Sequence, residues 1–78
     1  MSRPSQEDKN LAAFGRKVAA LRQKRNLTQD QLADTTGLSI DTIGAIERGR
    51  RWARLTTLHQ LAKGLGISTD ELFRDLKG

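Results

Sequence analysis

The sequence predicts an all-α protein built from five short helices. Apolar residues recur three and four positions apart, which is the period of a helix with one buried face. Two capping boxes and several glycines at the ends of these apolar runs mark where the helices begin and end. No segment alternates apolar and polar residues as a half-buried strand does. The 78 residues are enough for one domain, predicted over residues 7–78 after a flexible tail of residues 1–6.

The first helix is predicted over residues 7–25, because four apolar residues fall three, four and three positions apart. These residues are Leu11, Phe14, Val18 and Leu21. Gly15 lies within this helix, where a glycine costs about 1 kcal/mol relative to alanine. Asn26 follows at the position where a residue in the left-handed conformation would close the helix.

A second helix is predicted to begin at the capping box Thr28-x-x-Gln31. Leu32 and Ala33 give this helix its buried face. Gly37 then supplies a tight turn, since glycine adopts a positive φ without steric cost, and Leu38 follows it into the core.

Ser39 is predicted to cap a third helix over residues 40–48. Ile43 and Ile46 point inward from it, and Gly49 ends it. Two short helices joined by such a turn form a helix-turn-helix. The small Ala33 permits the close crossing that this geometry requires.

The last two helices are predicted after an arginine-rich connection. The apolar residues of the fourth helix are Leu55, Leu58, Leu61, Ala62 and Leu65. Gly66 ends this helix, and the second capping box, Ser68-x-x-Glu71, begins the fifth. The apolar residues of the fifth helix are Leu72, Phe73 and Leu76.

The charge of the chain favours one class of binding partner, and its composition excludes several kinds of site. The formal net charge is +5, and four arginines lie within residues 48–54 with no acid among them. A basic cluster of this kind favours an anionic partner such as nucleic acid. Because the chain has no cysteine, a disulfide scaffold, a thiolate zinc site and a cysteine nucleophile are excluded. Without a signal peptide or a membrane-length apolar run, we expect a cytoplasmic protein, on the nucleoid when bound to DNA.

The segment QDQLADTTGLSIDTIGAIER, residues 29–48, resembles the helix-turn-helix of the Cro/repressor (XRE) family. The downstream run LTTLHQLAKGLGISTDELF also matches, so the resemblance covers about residues 11–76. In size the chain is similar to restriction–modification controller proteins and phage repressor domains. The resemblance implies a five-helix, lambda-repressor-like domain that binds operator DNA as a homodimer, with the third helix in the major groove.

The resemblance also implies which residues contact DNA. The expected base-contacting residues are Ser39, Ile40, Asp41, Thr42, Ala45 and Arg48. The expected phosphate-contacting residues are Thr28, Gln29, Arg50, Arg51 and Arg54. For Asp41 two interpretations are open, because its carboxylate can accept from a cytosine amino group or can simply favour the helix dipole.

The middle of the predicted recognition helix departs from the family pattern. Gly44 and Ala45 stand where longer polar side chains are common, and neither can form a bidentate hydrogen bond to a purine. We therefore hypothesise that Arg48 and the shape of the DNA carry much of the sequence preference.

Three further sets of residues have structural interpretations. Arg22 and Glu47 match an ion pair of the family between the first and third helices, which is either exposed and weak or buried and strong. Trp52 either packs on the domain, which we favour, or donates to a phosphate. The candidate dimer interface is Leu65, Ile67, Phe73 and Leu76.

The sequence thus predicts a homodimeric regulator of transcription, acting as a repressor or autoregulator on a pseudo-palindromic operator. The alternative is an antitoxin-type protein that binds a protein partner as well as its own promoter. We expect no cofactor, metal ion or small-molecule ligand, because no metal-ligand cluster is recognisable and no room is left for a sensing domain. An enzyme has no supporting residues, since the single histidine, His59, lies among leucines on a helix.

Overall fold

Five helices and no strand make up the part of the chain that the computed structural model describes, which is residue 3 and residues 5–74. The helices are α1 (Gln6–Lys24), α2 (Gln29–Thr36), α3 (Ile40–Glu47), α4 (Leu55–Leu65) and α5 (Thr69–Phe73). The all-α prediction is confirmed, and each predicted helix is present. None of the helices within these residues is long and apolar enough to cross a membrane.

The start of α1 corrects the predicted tail of residues 1–6. Ser5 caps the helix by accepting a hydrogen bond from the Asp8 backbone N–H, and the Asp8 carboxylate accepts from the Ser5 N–H in return. This reciprocal capping box satisfies two backbone donors that would otherwise lack partners. The helix therefore begins at Gln6, inside the segment that the sequence assigned to the tail.

The turns around the helix-turn-helix have the predicted conformations. Asn26 after α1 and Gly37 after α2 are left-handed, with φ of 58° and 77°. Thr28 and Gln31 form the complete capping box of α2, and the Ser39 hydroxyl accepts from the Thr42 N–H at the start of α3. These local signals fix the short connection that sets α3 across α2.

The core lies where the inner faces of all five helices meet. Its fully buried large side chains are Phe14, Val18, Leu32, Ile43, Ile46, Leu61, Leu65 and Leu72. Leu55, predicted to share the apolar face of α4, is instead 69% exposed. It begins the helix directly after an exposed loop, whereas α2 packs against the later turns of α4, around Gly64.

Phe14 joins the loop before α4 and the last helix to α1. Its ring stacks on Trp52 at a centroid distance of 5.5 Å and on Phe73 at 5.7 Å. The packing interpretation of Trp52 is therefore the one that the structure supports. Stacked aromatic pairs at these distances contribute about 0.5–1.5 kcal/mol each beyond the area they bury.

Candidate nucleic-acid interface

A bidentate ion pair holds α3 against α1. The Arg22 Nε and Nη2 atoms donate to the two carboxylate oxygens of Glu47 at 2.8 and 3.1 Å. The side chains are only 13% and 6% exposed, so this is the buried form of the predicted pair. Two parallel bonds fix both the distance and the rotation of the partners. The C-terminal end of α3 is thereby anchored at one orientation on the domain.

The same pair links α3 to the start of α2. Arg22 Nη1 donates to the Leu27 carbonyl oxygen at 2.8 Å, and Gln29 Nε2 donates to Glu47 Oε1 at 3.0 Å. The hydrogen bond to Glu47 raises the pKa of Arg22, and the loss of hydration on burial opposes that change only partly. Arg22 therefore remains charged, and the network ties three helices together around one carboxylate.

The two residues that the sequence assigned to a phosphate at the start of α2 are engaged inside the protein. The Thr28 N–H donates to Gln31 Oε1 at 2.8 Å, so this donor is not available to a phosphate. The Gln29 amide is bound to Glu47, which leaves one of its N–H groups for any outside partner. The capping box thus occupies the Thr28 N–H, and contact of Thr28 with a phosphate through its other groups stays a prediction.

The outer face of α3 carries the residues expected to meet base edges. Asp41 and Arg48 are exposed and Ala45 is half-buried, and their spacing of four and three puts them along one stripe. Ile40, the first residue of the helix, is 43% exposed although it is a large apolar residue. The exposed face of α3 therefore has the apolar Ile40 and the acidic Asp41 at its N-terminal end and Arg48 at its C-terminal end.

Ser39 and Thr42 interact mainly with each other. The Ser39 hydroxyl accepts from the Thr42 N–H at 3.1 Å and donates to the Thr42 hydroxyl oxygen at 2.9 Å. Thr42 also lines a cleft beside residues 49–54, the loop between α3 and α4, which we call the arginine loop. Ser39 therefore caps α3 and Thr42 accepts from it, so each hydroxyl already has a partner inside the protein.

A cleft of about 300 Å³ lies between α3 and the loop that precedes α4. Its lining residues are Leu38, Thr42, Ile46, Arg51, Trp52, Ala53, Arg54 and Thr57. Two of the predicted phosphate-contacting arginines thus sit on its rim, next to the recognition helix. Trp52 holds this rim in place through its stack on Phe14.

The four arginines of this region are all exposed. They are Arg48, Arg50, Arg51 and Arg54, which we call the arginine cluster. Within residues 5–74 the ion pairs are Arg22–Glu47 and Arg74–Glu71, so none of the cluster is neutralised by a carboxylate. Unneutralised arginines that flank one helix form a positive surface, and their planar donor groups suit phosphate oxygens.

The predicted dimer residues fall into different environments. Leu65 is 0% exposed and belongs to the core of a single chain, so its assignment to an interface is wrong: it has no surface to offer a second copy. Ile67 is half-buried and Phe73 is 39% exposed, and both lie at the α5 end of the molecule. Leu76 lies outside the described residues. A candidate surface therefore remains around Ile67 and Phe73.

Comparison with known proteins gives consistent matches. A family model described as Helix-turn-helix (HTH_3) matches residues 18–72. An uncharacterized HTH-type transcriptional regulator, y4dJ of Sinorhizobium fredii, is 40% identical over 74% of this chain and 75% of its own length. Control protein C.MunI of a Mycoplasma species is 37% identical over 82% of this chain and 88% of its own.

A solved structure matches as well. The restriction-modification controller protein C.AhdI from Aeromonas hydrophila superimposes with a TM-score of 0.81 at 37% sequence identity. The superposition covers 83% of this chain and 98% of the controller protein. The similarity therefore extends through nearly all of the controller protein and most of this chain.

Proposed function

Because the chain belongs to the helix-turn-helix family of DNA-binding transcriptional regulators and is not an enzyme, we propose that it binds a pseudo-palindromic operator as a homodimer. The XRE resemblance of the sequence is confirmed by these comparisons. In the proposed complex α3 enters the major groove with Arg48 toward the base edges, and the other three members of the arginine cluster, Arg50, Arg51 and Arg54, contact phosphates beside it.

The observation that carries this proposal is the exposed and unpaired state of the arginine cluster beside α3. Binding an anion there breaks no ion pair in the described part of the chain. Each phosphate that an arginine neutralises releases condensed counterions, which favours association at low salt. In contrast, each nitrogen of the Arg22 side chain already donates to Glu47 or Leu27, so Arg22 serves to fix the helix.

Salt dependence tests the proposed phosphate contacts. Six phosphates are neutralised if each protomer contributes Arg50, Arg51 and Arg54. The slope of the logarithm of the association constant against the logarithm of the salt concentration is then about −5. Affinity for duplex DNA then falls by about 10³-fold between about 50 and 200 mM salt. Fluorescence anisotropy with a labelled duplex measures both quantities. A slope near zero contradicts the proposal.

Single substitutions sharpen this test. We expect Arg51→Ala to flatten the slope by about 2, since it removes one contact from each protomer. Lys63→Ala is the matched control, because Lys63 is also exposed but lies eight residues, or about 12 Å, along α4 from its first residue. Equal effects of the two substitutions would mean that net charge, and not the arginine cluster, drives binding.

The homodimer is proposed to form through the surface around Ile67 and Phe73. A two-fold dimer would present two copies of α3 about 34 Å apart, which is one turn of DNA. Among the described residues at that end of the molecule, Phe73 is the most exposed large apolar side chain, and an aromatic residue that is partly exposed is typical of such contacts.

Phe73→Lys is therefore expected to convert a dimer into a monomer at micromolar concentration, as measured by sedimentation equilibrium. Leu55→Lys is the control, since Leu55 is also an exposed apolar residue but begins α4 beside the arginine loop. Circular dichroism verifies that both variants remain helical. A wild-type chain that is monomeric, or a Phe73→Lys variant that stays dimeric, contradicts this interface.

We further propose that the chain acts as a repressor or autoregulator whose operator occupancy follows its own concentration. Support comes from the similarity to a control protein and to the immunity repressor of Bacillus phage phi105, which is 40% identical over 58 residues. A reporter gene placed behind the selected operator tests the sign of regulation. Activation of that reporter would contradict repression.

A further inference from the structure

The middle of α3 is less empty than its sequence indicates, because an arginine from the end of the helix lies over it. A Cβ atom added at Gly44 would lie 2.9 Å from Arg48 Nη1, 3.5 Å from Arg48 Cζ and 3.6 Å from Arg48 Nη2. These are the three nearest neighbours of that point. The guanidinium of Arg48 therefore occupies the space that a side chain at position 44 would take.

This arrangement follows from helix geometry. Side chains on a helix lean toward its N-terminus, so that a residue covers the position four before it. Arg48 is the C-cap residue of α3, and its guanidinium reaches back one turn, about 6 Å along the axis. Gly44 is buried although Arg48 and Asp41 on the same side of the helix are exposed, which agrees with its being covered from outside.

The guanidinium of Arg48 also keeps its donors free. In the described part of the chain its side chain forms no ion pair and donates no hydrogen bond, so its N–H groups are unoccupied where it lies beside Gly44. Arg22 is the opposite case, because three of its nitrogens are bound to Glu47 and Leu27. An arginine that lies over the middle of the helix and keeps its N–H groups free suits bidentate recognition of a guanine edge.

We propose that Gly44 is a positioning residue that sets base preference by making room for the Arg48 guanidinium at the centre of the recognition surface. This inference rests on the proposed function, since it assumes that α3 faces base edges. Arg48 is the reading group, and Gly44 acts through it. A side chain at position 44 would push the guanidinium outward and away from the base that it reads.

The variant Gly44→Ala tests the proposal cleanly, because the clash involves only the flexible end of a side chain. Alanine has a higher helix propensity than glycine, so we expect the melting temperature of the free protein to rise by about 4–8 °C. Binding to the preferred duplex is expected to weaken about tenfold for each half-site, with preference lost at one base pair of each half-site. Affinity for a random duplex is expected to change less than about twofold, since phosphate contacts remain.

The Arg48→Ala background is the matched control. There, Gly44→Ala is expected to change neither affinity nor base preference, because the group that it displaces is already gone. A Gly44→Ala variant with the wild-type base profile overturns the proposal. A loss of preference that is the same in both backgrounds also overturns it, because it would mean a structural effect of position 44 itself.

A DNA-free measurement separates this inference from the proposed function. We expect an NMR cross-relaxation peak between the Gly44 α-protons and the Arg48 side chain in the free protein. If the wild-type chain selects no duplex, the proposed function fails and takes the base-reading role with it, whether or not that peak is present. If the chain selects a duplex but the peak is absent, the positioning role of Gly44 alone is overturned.

Discussion

Arg22→Ala is expected to lower the free energy of unfolding by about 3–5 kcal/mol, a large share of the total for so small a domain. The substitution leaves the Glu47 side chain, which is 6% exposed in the intact pair, with one remaining side-chain partner, Gln29. It also removes the donor to the Leu27 carbonyl. Urea unfolding followed by circular dichroism measures the change.

Two further variants test whether this loss of stability comes from leaving a buried charge without its partner. Replacing both partners, as Arg22→Met with Glu47→Leu, is expected to recover at least half of the lost stability, because no charge is then left buried alone. Arg74→Met removes the exposed pair with Glu71, whose arginine is 67% exposed, and is expected to cost no more than about 0.5 kcal/mol. If Arg22→Ala were as mild as Arg74→Met, the anchoring role of the buried pair would be wrong.

Gly15→Ala is expected to destabilise the fold by about 2 kcal/mol, against its intrinsic propensity. In an isolated helix the same substitution gains about 1 kcal/mol. Here the new Cβ would collide with the Ile46 carbonyl oxygen and lie 2.7 Å from that of Glu47. Backbone atoms at the end of α3 cannot move aside, so overpacking at the upper end of its usual 1–3 kcal/mol exceeds the gain.

Gly44→Ala is the natural control for this prediction, because Gly44 is also an interior helix glycine but faces the movable end of Arg48. The two substitutions should therefore change thermal stability in opposite directions. Gly15→Ala should also weaken DNA binding, since separating α1 from α3 strains the Arg22–Glu47 pair. A Gly15→Ala variant more stable than the wild type would contradict the close approach of these helices.

The sequence predicts the helices well where their ends depend on local chemistry. The caps of Thr28 and Ser39 and the left-handed Gly37 and Gly66 are determined by residues within four positions, and the structure has them as predicted. The tail boundary failed for a related reason. Ser5 and Asp8 form a capping box with aspartate in place of the usual glutamate or glutamine, so the common sequence pattern does not include it.

Features that depend on helices meeting at a distance could not be predicted in this way. Gly15 reads as a helix defect until α3 is seen to pass against it. The hydrogen bond from the Gln29 amide to Glu47, 18 positions away, likewise could not be predicted, whereas contact of Gln29 with a phosphate stays a prediction. Leu55 and Leu65 belong to the same predicted apolar stripe of α4. Leu55 is nevertheless exposed and Leu65 is fully buried, because tertiary packing decides which part of the stripe is covered.

The residues of the candidate site also divide into features that local sequence predicts and features that depend on the folded structure. The arginine cluster is visible in the sequence because it is a run of like charge without acids. The placement of Arg48 over Gly44 is different, since it depends on a side-chain conformation. The sequence predicts only that positions 44 and 48 are neighbours, because they are four apart on one helix.

Selection of duplexes from a random double-stranded pool shows whether this helix-turn-helix reads DNA as a two-fold dimer, as proposed. We expect enrichment of a pseudo-palindromic site whose half-sites are centred about 34 Å apart, with two chains bound to each duplex. Under the same proposal, Arg48→Ala is expected to alter the enriched half-site. An unenriched pool, or a site without two-fold symmetry bound by one chain, would contradict it.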